Sequence, residues 1–193
     1  MARPRMFDEE RAVDAALQAF WTAGYEATST QDLCDATGLG RSSIYNTFKS
    51  KHDLFRRALL RYMDGRAEFQ QALFGGDLPV REKLRTLLDS VVVEECGPPG
   101  ERRGCLVVNT AVELAGRDAE VARELERDYG RRLELLTGAI AEGQRAGDID
   151  AGKDARALAH FVIAAIGGMR VSACAGAGRS ALEGVARATL AAI

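Results

Sequence analysis

Residues 35–55 read DATGLGRSSIYNTFKSKHDLF. Gly38-Leu39-Gly40 punctuates this run, because two glycines so close together break a helix and readily take the left-handed backbone of a tight turn. Short helices are expected on either side, over residues 30–37 and 41–48, and two helices joined in this way make a helix-turn-helix. The second helix of such a pair can enter the DNA major groove, about 12 Å wide, with its first residues at base edges. Here those residues are Arg41, Ser42 and Ser43. A guanidinium can bond guanine O6 and N7 together, and serine hydroxyls donate or accept. Ile44 and Phe48, four apart, share the inward face, which turns Tyr45, Asn46 and Thr47 outward, within reach of phosphates. Lys51 opens the next helix and adds a cation where amides also point outward. Spacing alone fits a plain hairpin inside an all-helical domain equally well.

Charge sharpens the reading. Residues 41–61 hold six cations (Arg41, Lys49, Lys51, Arg56, Arg57 and Arg61) and one acid, Asp53, in a chain of net charge −2. A basic stripe on an acidic protein suits a phosphate-binding surface, although a solvated helix face has the same composition. The 193 residues, 47% hydrophobic, suffice for a small module plus a larger one and exclude a wholly disordered chain. Four prolines, abundant Ala, Leu, Arg and Glu, and the lack of long alternating Val/Ile/Thr runs favour an all-α fold. The N-terminus lacks the apolar core of a signal peptide, and no run approaches 18 uninterrupted apolar residues. A cytoplasmic protein with no membrane partner is expected. Cys34, Cys96, Cys105 and Cys174 form no CxxC pair, so free thiols are expected and neither a metal nor another cofactor is implied.

Further helices are legible from their ends. The first is expected over 8–23, with Asp8 as cap, Glu9 and Glu10 at its positive end and Gly24 as its stop. Ser50 caps a fourth running to about residue 74, and Pro79 suits the start of a fifth over 80–95. The run GPPGERRG, residues 97–104, reads as a loop. A sixth helix begins near Cys105 and stops at Gly116, and Asp118 caps a long seventh ending near Gly147. An eighth is expected over 155–174 and a ninth over 180–192, about nine in all. The expected division is a helix-turn-helix domain over 1–50 and a larger helical domain over 51–193.

The stretch FWTAGYEATSTQDLCDATGLGRSSIYNTFKSKHDLF, residues 20–55, resembles the N-terminal DNA-binding domain of TetR-family transcriptional regulators (AcrR-like). The likeness rests on Phe20, Gly24-Tyr25, Thr28-Ser29, Leu33, Gly38-Leu39, Ser43-Ile44-Tyr45, Phe48, Lys51 and Leu54-Phe55. It departs at Cys34, where alanine is usual, and at Arg41, where serine is frequent, so base preference is expected to differ. The resemblance implies a repressor of double-stranded operator DNA, released by a small-molecule effector of unknown identity. It adds Thr30 and Gln31 to the expected DNA contacts. It also implies a homodimer joined by the last two helices, and AHFVIAAIGGMRVSACAG, residues 159–176, is suitably small and apolar.

Two expectations concern the larger domain. Tyr62, Phe69, Asn109, Glu113, Tyr129, Phe161 and Met169 are candidates to line an effector pocket, although each singly suits plain core, as does His160. Cys105 stands at a helix start after Arg102 and Arg103, features that favour a thiolate, with Gly104 leaving access open. An electrophile- or oxidant-sensing repressor is therefore the alternative reading; simple packing of Cys105 is the other. His52 is expected near phosphate. With two histidines in different domains and no catalytic motif such as HExxH, GxSxG or a P-loop, an enzyme is not expected.

Overall fold

The computed structural model describes residues 9–98 and 103–193. Asp8, Arg102 and the middle half of the 97–104 loop, expected above to cap, to activate and to connect, lie outside the described residues. Nine helices are present among them: α1 (Glu9–Ala23), α2 (Thr30–Thr37), α3 (Arg41–Phe48), α4 (Lys51–Gly75), α5 (Val80–Glu95), α6 (Leu106–Leu114), α7 (Ala119–Ala146), α8 (Ala155–Cys174) and α9 (Arg179–Ala192). The fold is all-α, as expected, and the boundaries differ from the sequence reading by one or two residues.

Local chemistry explains most ends. Ser29 and Asp32 form a reciprocal capping box at α2, Ser50 accepts from the Asp53 amide at α4, and Asp118 accepts from the Glu120 and Val121 amides at α7. Such a cap contributes about 1 kcal/mol. Gly38 closes α2 at φ 69°, a region where a Cβ is disfavoured, and so permits the reversal into α3.

The core has two parts. The first joins α1, α2 and α3 to the N-terminal half of α4 around Phe20, Leu33, Ile44, Phe48 and Phe55. Phe20 meets Phe55 edge-on with centroids 5.0 Å apart. Replacing such a buried phenylalanine by alanine costs about 3–5 kcal/mol. Leu106, Val107 and Leu114 of α6 and Val121 of α7 belong to this same cluster. The second part packs Phe74, α5, the C-terminal half of α7, α8 and α9. Helix α4 therefore spans both, with its first half in one cluster and Phe74 in the other.

Helix α8 has the length and apolarity to cross a membrane, which the expectation of no such segment did not foresee. Its buried residues Ala159, Val162, Ile163, Ile166 and Met169 pack in the second cluster.

Candidate functional site

Helix α3 carries its eight residues on two anchors. Ile44 and Phe48 are buried, while Arg41, Ser42, Ser43, Tyr45 and Asn46 are exposed and Thr47 is half-buried. Gly40 stands at its N-cap and supplies no side-chain acceptor, so the helix start presents donors outward. Tyr45 is tied back to α2, its phenol 3.2 Å from the Thr30 hydroxyl, and the Arg41 guanidinium lies 5.9 Å from its ring centroid. The Thr30 hydroxyl and then Arg41 hold the Tyr45 phenol below its ordinary pKa. Gln31 is exposed but donates to Asp35 at 2.8 Å. Lys51 lies over the Tyr25 ring at 4.5 Å and donates to the Glu26 carbonyl at 3.4 Å, which places its ammonium on the α1–α2 loop.

The basic run is local in sequence rather than in space. Arg56 pairs with Glu120 at 2.8 Å and Glu124 at 2.9 Å on α7. Arg57 pairs with Glu9 and Asp53, and Arg61 with Asp14. Three of the six cations are thus matched by carboxylates, and Arg41, Lys49 and Lys51 remain at the helix-turn-helix end. Exposed Lys49, not chosen as a contact from the sequence, ends α3 at φ 59°, outside the conformations usual for a side-chain-bearing residue.

His52 does not face outward toward phosphate. Its Nε2 lies 2.6 Å from Asp118 Oδ2, at the start of α7. Burial pushes the Asp118 carboxyl up, but the Val121 amide and His52 outweigh it and hold its pKa below the ordinary value. Glu113 is displaced from its expected role too: its carboxylate accepts from the Tyr25 and Glu26 amides at 3.0 and 2.8 Å. It thereby clamps the α1–α2 loop to α6, beside Gly24 at φ 83°. Trp21 Nε1 donates to the Gly104 carbonyl at 2.8 Å. The helix-turn-helix is therefore fastened to α6 and α7 by named polar contacts as well as by packing.

A cavity of about 120 Å³ lies among α4, α5, α6, α7 and α8. Met63, Leu87, Val107, Leu136, Ile163 and Ile166 form much of its apolar wall. Its polar lining is Arg66, Gln70, Asp128, Arg132 and Arg170. Arg170 is 2% exposed and donates to Glu95 at 2.6 Å and to Glu94 at 2.7 Å. Arg66 also reaches Glu94, at 3.1 Å. Burial raises the Glu94 pKa, but Arg66 and then Arg170 more than offset this and leave it below the usual carboxylate value.

None of the seven residues expected to line a pocket touches this cavity. Tyr62 and Phe69 border a separate groove between α1 and α4, and Asn109 and Glu113 a shallow one beside α8. Tyr129 and Phe161 are exposed, with Tyr129 bonded to His160 at 2.6 Å on the outer seam of α7 and α8. Met169 is core. A signal for the true lining was available. Gln70 continues the buried spacing of Leu59 and Met63 on α4, Asp128 that of Val121 and Glu124 on α7, and Arg170 that of Ile163 and Ile166 on α8. Polar residues in a buried register mark a cavity better than aromatics do.

Cys105 does stand at the α6 N-cap, but it is only 5% exposed and accepts a contact from the Tyr62 hydroxyl at 3.6 Å. Arg103 turns away from it, stacking 4.3 Å over Trp21 and donating to Gln18. Cys174, at the end of α8, is the exposed cysteine of this chain. Cys105 instead lines the inner cavity with Arg66 and Arg170, and its burial denies it the open access expected of a sensor thiol. Among the described residues, no group of three or more His, Cys, Asp or Glu is placed to hold a metal ion.

Comparison with known proteins places this geometry. The family model described as "Bacterial regulatory proteins, tetR family" matches residues 12–58, and that described as "Tetracyclin repressor-like, C-terminal domain" matches 80–189. The chain belongs to the TetR family. It is 33% identical over 190 residues to the HTH-type transcriptional repressor ComR of Escherichia coli (strain K12), covering 97% of this chain and 90% of that protein. The uncharacterized HTH-type transcriptional regulator YezE of Bacillus subtilis (strain 168) is 28% identical, covering 84% of each. Among solved structures, the TetR-family regulator CifR, as a cysteine mutant complexed with 26bp double-strand operator DNA, matches with a TM-score of 0.86. The identity is 31%, over 98% of this chain and 99% of that one.

TetR-family members act as homodimers that bind DNA and effectors. On α8 and α9, Phe161, Val171 and Val185 are exposed. Ala157, Ala164 and Gly168 continue the α8 part and Ala181 and Ala188 the α9 part, small residues that let helices approach closely.

Proposed function

We propose that this TetR-family regulator is a cytoplasmic homodimeric repressor that holds a near-palindromic operator with two copies of α3 and lets go when a small molecule occupies the α4–α8 cavity. The observation that carries the reading is α3 itself: five polar side chains exposed over two buried anchors, with the cations Arg41, Lys49 and Lys51 beside them on an acidic molecule. In the assignment of roles, Arg41 reads a base, with Ser42 and Ser43 beside it, while Thr30, Gln31, Tyr45, Asn46, Thr47 and Lys51 address the backbone. The DNA-binding domain ends at residue 50 and the regulatory domain begins with α4.

Release follows from how α4 is held. Its N-terminal half belongs to the helix-turn-helix core, and its Met63, Arg66 and Gln70 border the cavity. A ligand that tilts α4 moves α3 with it, because Ile44 and Phe48 of α3 pack in one cluster with Leu54, Phe55 and Leu59 of α4. Two recognition helices then miss half-sites centred roughly 34–36 Å apart. The test is to select bound duplexes from a random DNA pool, then to screen compounds for release of the selected site. A selection without enrichment, or a chain that sediments as a monomer with and without DNA, overturns the proposal.

A further inference from the structure

The cavity has a chemistry of its own, and the following rests on its reading as the effector site. Its cations are already answered. Arg170 holds Glu94 and Glu95, Arg66 holds Glu94, and Arg132 Nε lies 3.0 Å from Asp128 Oδ2. Each of these guanidiniums is paired with a carboxylate, Asp128 serving Arg131 as well at 3.5 Å, so an entering ion meets groups already engaged and loses its hydration. Gln70 differs. It is 6% exposed, it lines the cavity, and among the described residues its amide makes no hydrogen bond. An amide without a partner can both donate and accept. The remaining wall is apolar, and at about 120 Å³ the space is somewhat smaller than a cavity of about 150 Å³ that binds benzene.

We infer that the effector is a small uncharged molecule of about five or six heavy atoms, with an apolar body and one hydroxyl or carbonyl oxygen that bonds the Gln70 amide. The charged groups around it act as a fixed frame. They hold α4, α5 and α8 at the spacing the ligand perturbs, and they reject ions of the same size.

The experiment titrates cyclopentanol, butanoate and butylammonium into the full-length dimer and follows binding by ligand-observed NMR. Cyclopentanol is expected to bind at least ten-fold more tightly than either ion, and Gln70→Leu to weaken it roughly ten-fold. Wild type alone decides the charge question, so a poorly folded variant does not stall the test, and Gln70→Met serves as a second variant. Butanoate or butylammonium binding as tightly as cyclopentanol overturns the inference. So does equal binding by a folded Gln70 variant, or binding of none of the three probes. DNA selection on the same preparation separates the two readings. Specific DNA binding without cyclopentanol binding rejects the ligand class and keeps the regulator, whereas loss of specific DNA binding rejects the regulator itself.

Discussion

Helix α3 and the α4–α8 cavity are both polar, yet they are polar in opposite senses. On α3 the groups point outward: Ser42, Ser43 and Asn46 are exposed to solvent, and Arg41 leans only on Tyr45 of the same helix. In the cavity the charged groups hold one another, and Gln70 is the side chain left over. The first arrangement suits a polyanion whose charges supply what the surface lacks. The second suits a small neutral body, because every ion already has its counterion. One protein thus meets a large charged ligand and a small uncharged one by leaving polar groups open at one site and closing them at the other.

The largest test of this contrast lies in the cavity frame. Arg170→Leu should cost about 3–5 kcal/mol by stranding the buried Glu95 carboxylate, whereas Arg170→Leu with Glu95→Leu should come close to neutral. Urea denaturation at one fixed protein concentration measures both. A double variant as unstable as the single one would show that the frame is not internally compensated.

Next comes α3. Arg41→Ala should cost about 1–3 kcal/mol at one base pair and relax preference there. Equal weakening of random and selected DNA would remove Arg41 from the base-reading role. A smaller effect is expected where the two regions are fastened. Glu113→Ala should destabilise the fold by about 1 kcal/mol, since the Tyr25 amide loses its carboxylate partner while the exposed Glu26 amide can turn to water. Unchanged stability would mean that packing alone holds the loop. Smaller still, Lys51→Ala should reduce the slope of log affinity against log salt by about one, and Tyr45→Phe should leave that slope unchanged.

The smallest effect is a pH dependence at the α4–α7 seam. Asp118 has a lowered folded-state pKa, so its contribution is present above its unfolded value, about 4, and is lost as pH falls through the folded value. Wild type should therefore lose stability on acidification more steeply than Asp118→Asn, as read from melting temperatures between about pH 5 and 3. Parallel curves would remove Asp118 from the seam's electrostatics.

The fold was legible because its punctuation is local. Gly24, Gly38, Ser50, Asp118 and Gly147 each set a boundary through their own backbone or side chain, and the structure keeps every one of them. The inward and outward faces of α3 were legible for the same reason. The cavity was not, because it depends on which helices meet. Tyr129 and Phe161 are large and apolar enough for a pocket, but their helix faces turn outward. Gln70 and Arg170 are polar enough for a surface, but their register turns them inward. The basic run failed likewise, since no local pattern tells that Arg56 meets α7 and Arg61 meets α1.

Leu106, Leu114 and Val121 sit in the same cluster as Phe20 and Phe48. A reader of DNA made only of residues 9–58 would leave that oily patch wet and the Tyr25 amide without its carboxylate. Domain swapping by recombination is therefore constrained: a chimaera that takes its first three helices from one relative must take α6 and the opening turn of α7 from the same parent. Inheritance along this chain should run in two interleaved pieces, with residues far apart in number travelling together.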